Sequence, residues 1–202
     1  FLKSDKQPFR VATPIFSLLN TGMLEGIENV GGYDAIVLKS YSEFINFAQG
    51  LPTDEPNTVM DIRSVSPMLG LLNVKYYILQ PAMQIGLSTF ELVFQNSRYK
   101  VYRDNGALPR SFIVHDAWMI KRREAVFRAM TSAGFNPTSS AIIDEAIDSL
   151  PNDPDLQSPT PRVVEHYPRK VFIEADLKEP GLLVLGDVYY PGWKAFVDGK
   201  ES

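Results

Sequence analysis

Prolines 151, 154, 159 and 161 crowd the stretch DSLPNDPDLQSPTPR, residues 148–162. Each fixes its own φ and removes a backbone donor, so neither a helix nor a central strand runs through this stretch. The chain is therefore expected to divide into a first domain over residues 1–150, an extended linker over 151–161 and a second domain over 162–202. SPTPR also fits a ligand for a proline-binding domain, but a spacer is the simpler reading.

Before the linker, helical and strand signals alternate. Phe9 to Ile15 is a short apolar strand, and NTGMLEGIENVGGYD, Asn20 to Asp34, reads as loop. Ser40 and Glu43 have the spacing of a capping box ahead of Tyr41, Phe44, Ile45 and Ala48, with Gly50 and Pro52 ending that helix. Ser66 and Pro67 open a short helix that feeds a strand from Val74 to Leu79. Phe90 to Phe94 and Tyr99 to Tyr102 flank Gln95-Asn-Ser-Arg98 as a hairpin. Arg110 to His115 is a strand, Arg122 to Ala133 a helix stopped by Gly134, and Ser140 to Ile143 a further strand.

Beyond the linker, Val171, Ile173, Ala175 and Leu177 alternate with Phe172, Glu174 and Asp176, the period of a half-buried strand. Glu179-Pro-Gly181 is a turn, and Leu182 to Tyr190 and Trp193 to Val197 are strands. The expected fold is α+β: a mixed α/β domain followed by the start of an antiparallel β-sandwich. Asp198-Gly199 is a hairpin signal with almost no chain after it, so the sequence is expected to be a segment of a longer polypeptide.

Chemistry is sparse. Cysteine is absent, which removes thiolate catalysis, disulfides and Cys-based zinc sites. A formal net charge of -4 with mixed signs offers no basic stripe, so nucleic acid is not an expected partner. No apolar run approaches the roughly twenty residues of a membrane-spanning helix, and no signal-peptide pattern opens the chain.

The glycine passage lacks both GxGxxG and a closing Gly-Lys-Ser/Thr, so turns explain its glycines better than a phosphate loop does. His115-Asp116 would need a serine such as Ser111 to make a hydrolytic set, and no nucleophile elbow surrounds any serine. Asp144, Glu145, Asp148, Asp153 and Asp155 lack a calcium-loop register. No catalytic residue, cofactor or metal ligand is nominated.

Two surfaces remain. One is the loop Gly31, Gly32, Tyr33 and Asp34. The other is the bend GDVYYPGWKAFVDGK, where Tyr189, Tyr190 and Trp193 make either a platform for sugar rings, with Asp187 or Asp198 binding hydroxyls, or a sandwich corner with Trp193 packed on the core.

LLVLGDVYYPGWKAFVDGK at Leu182 to Lys200 resembles the C-terminal extracytoplasmic region of the YfhO family of bacterial multi-spanning membrane proteins. PFRVA at Pro8 to Ala12, the passage from Asn20 to Phe44, LGLLNVKYYIL at Leu69 to Leu79 and LPRSFIVHDA at Leu108 to Ala117 follow in the same order. The resemblance implies a C-type glycosyltransferase-like parent that uses a lipid-linked sugar to modify an envelope polymer, with its catalytic carboxylates upstream of this segment. It implies an extracytoplasmic, non-catalytic role, with the membrane-embedded remainder of the polypeptide and an envelope glycan or lipid-linked sugar as partners. A freestanding carbohydrate-binding module and, behind it, an independent hydrolase are the competing expectations.

Overall fold

The computed structural model describes residues 1–14, 20–33, 37–55, 59–147 and 150–202, without the side chains of Thr21, Tyr33, Val59 and Met60. In chain order the strands are β1 (Arg10–Ala12), β2 (Glu28–Asn29), β3 (Gly32–Tyr33), β4 (Val59–Met60), β5 (Val74–Leu79), β6 (Phe90–Gln95), β7 (Lys100–Asp104), β8 (Ser111–Val114), β9 (Asp116–Met119), β10 (Ser140–Ile143), β11 (Arg162–Tyr167), β12 (Lys170–Glu174), β13 (Leu182–Leu185), β14 (Phe196–Val197) and β15 (Lys200–Glu201). The α-helices are α1 (Thr21–Glu25), α2 (Lys39–Ala48) and α3 (Arg123–Met130). The fold is α+β.

A five-stranded mixed sheet in the order β2-β1-β5-β7-β6 organises the first half. β1 runs parallel to both β2 and β5, and the hairpin β6-β7 completes the sheet antiparallel to β5. Successive side chains of a strand point to opposite faces, and both faces here are covered. On one, Ala12, Val74, Tyr77, Leu79 and Tyr102 pack with Ile45 and Ala48 of α2 and with Leu69. On the other, Val11, Tyr76 and Val101 pack with Leu2, Phe9 and Ile27. This two-sided burial explains why VKYYIL is apolar almost throughout.

Local signals account for several boundaries. Ser66 accepts a hydrogen bond from the Met68 amide at 3.3 Å and caps a 3-10 helix, Pro67–Leu72, which delivers the chain directly into β5. Asn96 closes the β6-β7 turn by accepting from the amides of Arg98 and Tyr99, both at 2.8 Å. The capping box fails: α2 begins at Lys39 with Leu38 as its N-cap and no side-chain cap. Glu43 instead pairs with Arg123 at 2.5 Å, joining α2 to α3, and Phe47 stacks on Phe127 with ring centroids 4.6 Å apart.

The glycine passage, expected to be loop, contains α1 and β2. A Cβ on Gly22 would run into the Ile27 carbonyl oxygen, and the Ile27 amide donates to the Gly22 carbonyl at 2.8 Å. Gly26, at φ +67°, ends α1 in the left-handed conformation that glycine adopts without strain. Ile15, at the end of the first expected strand, lies outside the described residues.

β9, α3 and β10 form a parallel βαβ unit, with Ser140 opposite Asp116 and Ile143 opposite Met119. Past the proline stretch, β11 and β12 pair antiparallel. β13 does not join them. It pairs antiparallel with β8, Leu182 opposite Val114 and Leu185 opposite Ser111, so a strand after the expected linker completes a ladder begun before it. The strands expected over Leu182–Tyr190 and Trp193–Val197 shorten to β13 and β14. Asp198 and Gly199, at φ +50° and +81°, make the anticipated tight turn, and the partner strand expected to be missing is present as β15.

One core group opposes the fold. Asp104 is buried, and its Oδ1 accepts from the Gly106 amide at 2.9 Å while Oδ2 has no hydrogen-bond partner among the described residues. Burial raises its pKa against the opposing effect of the Gly106 hydrogen bond. For an acid raised in the folded state, the stabilising contribution is complete at low pH and is lost as pH rises through the folded pKa. Asp104→Asn keeps the Oδ1 acceptor and removes the charge, so it should raise the urea midpoint at pH 7 and change it little at pH 3.5. Equal shifts at both values would contradict this account.

Candidate functional site

Two arginines stand at the entrances of apolar strands, Arg10 at the start of β1 and Arg110 just before β8. Arg110 is only 3% exposed at its side chain. Burial of a guanidinium demands carboxylate partners, and two are present. Glu28 Oε2 accepts from Arg10 Nε at 3.0 Å and from Arg110 Nη2. Asp187 Oδ1 accepts from Arg10 Nη2 at 2.6 Å and lies 3.3 Å from Arg110 Nη1. Arg10 Nη1 donates to the carbonyls of Leu72, at 3.0 Å, and Gly186. His166 Nε2 meets Asp187 Oδ2 at 2.9 Å. The cluster thus fastens β1, β2 and the lead-in to β8 to the segment that follows β13.

Burial works to raise the pKa of both carboxyls, and their partners reverse it. At Glu28 the hydrogen bond and charge of Arg110, with those of Arg10, hold the group below its ordinary value. At Asp187 the His166 hydrogen bond and the two arginine charges do the same. Both are carboxylates at neutral pH.

Beside this cluster opens a cleft of about 540 Å³, with Gly22, Met23, Gly26, Ile27 and Gly31 of the glycine passage on its walls, together with Arg10, Glu28, Asn29, Tyr41 and Val188. Gly31 and Val188 border the same space, so the structure joins the loop and the bend that the sequence offered as separate surfaces. The Tyr41 hydroxyl donates to the Val30 carbonyl at 2.7 Å and shapes the wall, and burial pushes its pKa up to about 12.

The remaining candidates divide. Gly32 pairs with Met60 and Tyr33 with Val59 in the β3-β4 ladder, while the Tyr33 side chain and Asp34, like Asp148, lie outside the described residues. Asp187 is held in the arginine cluster. Asp198 occupies a hairpin turn. Tyr189 and Tyr190, just past Val188, are 70% and 60% exposed, and Trp193 is 38% exposed. The core-corner placement of Trp193 is corrected: the bend closes locally through the Trp193 amide and the Tyr190 carbonyl at 3.2 Å, with Gly192 at φ +109°, and leaves its rings at the surface.

His115 does not serve Ser111, which is buried in β8. Its Nδ1 donates to the Pro180 carbonyl at 2.7 Å, and Nε2 accepts from the Ser158 hydroxyl at 2.8 Å. Since a carbonyl only accepts, the Nδ1–H tautomer is fixed. With the Asp153 amide on the His115 carbonyl at 3.2 Å, this buried residue anchors the proline stretch at two points, one through its ring and one through its backbone. Among the described residues, no group of His, Asp and Glu has the arrangement of a metal site.

Sequence reasoning passed over Arg10, Glu28, Arg110 and His166. The signal available was a lone arginine opening each of two apolar strands, FRVA and RSFIV. Comparison with known proteins adds no name: no family model, curated protein or solved structure matches the chain.

Asp187→Ala leaves two buried guanidiniums short of countercharge, and the expected loss is about 3 kcal/mol of unfolding free energy. Because the folded-state pKa values of Glu28 and Asp187 are lowered, their stabilisation is complete above the ordinary carboxyl range near pH 4 and drains away as pH falls through the folded values. Urea titrations between pH 7 and pH 2.5 should show this acid limb in the parent protein and a shallower one in Asp187→Asn.

Proposed function

We propose that this chain is a non-catalytic glycan-handling domain on the extracytoplasmic face of a bacterial membrane protein of the YfhO kind, holding an envelope glycan or lipid-linked sugar for a membrane-embedded, glycosyltransferase-like part of the same polypeptide. The observation that carries the reading is the cleft between the glycine passage and Val188, with the exposed rings of Tyr189, Tyr190 and Trp193 on the adjoining bend. Sugar rings are recognised by flat apolar faces beside hydrogen-bonding groups, and this surface supplies both. Among the described residues the carboxylate on the cleft wall is Glu28, and two arginines hold it, an arrangement that does not favour turnover.

Val164, Tyr167, Phe172, Leu183, Phe196 and Val197 also expose apolar surface along β11 to β14, as a domain that packs against further protein would. No described helix is long and apolar enough to cross a membrane, so in this reading the membrane part lies elsewhere in the polypeptide.

The test has two arms. Reading the coding sequence on either side of this segment should reveal several apolar runs of about twenty residues. Their absence would remove the membrane assignment. The purified chain should be retained on envelope polysaccharide, and Tyr189→Ala or Trp193→Ala should weaken retention about five- to tenfold, the scale of one lost ring contact. Tyr189 is exposed enough for its variant to keep the parent melting temperature. Retention unchanged by either substitution would remove the aromatic bend from the reading.

A further inference from the structure

Resting on the reading of the cleft as a glycan site, we infer that it selects ligands that donate hydrogen bonds and carry no negative charge: the uncharged or amino sugars of a glycan, and neither uronates nor the phosphate or pyrophosphate of a lipid-linked sugar.

The glycine passage has the composition of an anion loop, yet several of its amides already have acceptors. Met23 N–H donates to the Asn20 carbonyl, Ile27 N–H to Gly22, Val30 N–H to Val11 in β1, and Gly31 N–H to Asn29 Oδ1 at 3.0 Å. The Asn29 amide group is also used, on Thr13 Oγ1 at 2.7 Å. Among the described residues Arg10 is the cation on the cleft wall, and its Nε, Nη1 and Nη2 each donate, to Glu28, to two carbonyls and to Asp187. Arg110 has poorly satisfied Nε and Nη1 atoms, but they are buried and the residue is not on the cleft wall. An anion entering here would meet a guanidinium whose charge Glu28 and Asp187 already balance, and would compete with those carboxylates for it.

The acceptor side is open. Both arginines bind the same oxygen of Glu28, Oε2, and Oε1 receives no hydrogen bond from the described residues. Glu28 keeps 46% of its side chain exposed, so Oε1 is presented as a carboxylate acceptor whose orientation the arginines fix. Met23, Ile27 and Val188 supply the apolar surface around it. A hydroxyl or ammonium satisfies this oxygen, whereas a second anion is repelled by it.

The experiment is isothermal titration of the purified chain with three trisaccharide probes of one length, namely uncharged chitotriose, cationic glucosamine trimer and anionic trigalacturonate, and with inorganic pyrophosphate. The uncharged and cationic trisaccharides should bind at least tenfold more tightly than trigalacturonate, with no heat from pyrophosphate. Val188→Trp, which fills the cleft from an accessible position, should abolish binding of every class. Glu28→Gln removes the repelling charge and releases arginine donors, so it should narrow the preference severalfold. Should that variant fail to fold, the parent panel and Val188→Trp decide the matter alone. Trigalacturonate or pyrophosphate binding as tightly as chitotriose, and blocked by Val188→Trp, overturns the selectivity and leaves the glycan site standing. Binding that ignores Val188→Trp places the site elsewhere and overturns the inference. Silence from all probes overturns the glycan reading and the selectivity with it.

Discussion

Two guanidiniums sharing two carboxylates hold this molecule together where its hydrophobic core does not reach. Among the described residues the buried apolar side chains all fall between Val11 and Val114, so the segment after β13 has little apolar packing to fix it. Arg10 and Arg110 tie Asp187 to the edge of the central sheet, with His166 added from β11. Such an arrangement exchanges hydration for geometry: its net worth is modest, but removing one member exposes the desolvation cost of the others. The position of Val188, and therefore the shape of the cleft, depends on that cluster.

A second attachment works by other means. β13 pairs with β8, and the turn before it is held by His115, where a Cβ on Gly181 would come within 2.7 Å of Ile113 and 3.0 Å of the imidazole. The same ring accepts from Ser158. One buried histidine thus organises both the proline stretch and the turn into β13, and the close approach at Gly181 explains why the position carries no side chain.

How much of this was legible varied with the range of the interaction. β5, the β6-β7 hairpin, α3 and the Ser66-Pro67 helix start could all be read, because each is specified by neighbours within a few residues. The linker's extended character followed from its prolines for the same reason. α1 and β2 were missed since five and two residues contain no measurable period. The Ser40-Glu43 box was misread because Arg123, eighty positions away, takes the glutamate. Of the site, Gly31 and the exposed tyrosines were visible as loop residues with recognition chemistry, while Glu28 and its arginines were not: nothing local relates residue 10 to residue 187. Trp193 was assigned to a core by residue type, and its exposure is a property of the packing around it.

The long sequence separation of the Arg10–Asp187 pair, 177 positions, also orders events in time. The central sheet can form once β7 has been made, but at that stage both arginines face an incomplete set of partners and β8 lacks β13. A nascent or truncated chain ending before residue 182 carries a formed core with an unpaired strand edge and a surplus of positive charge beside it. Closing so large a loop is entropically slow, which leaves an interval in which that edge is open to proteases and to pairing with other chains. The stretch that begins at β13 therefore acts as a fastening step of folding, and quality control in the cell has a specific defect to recognise when it is missing.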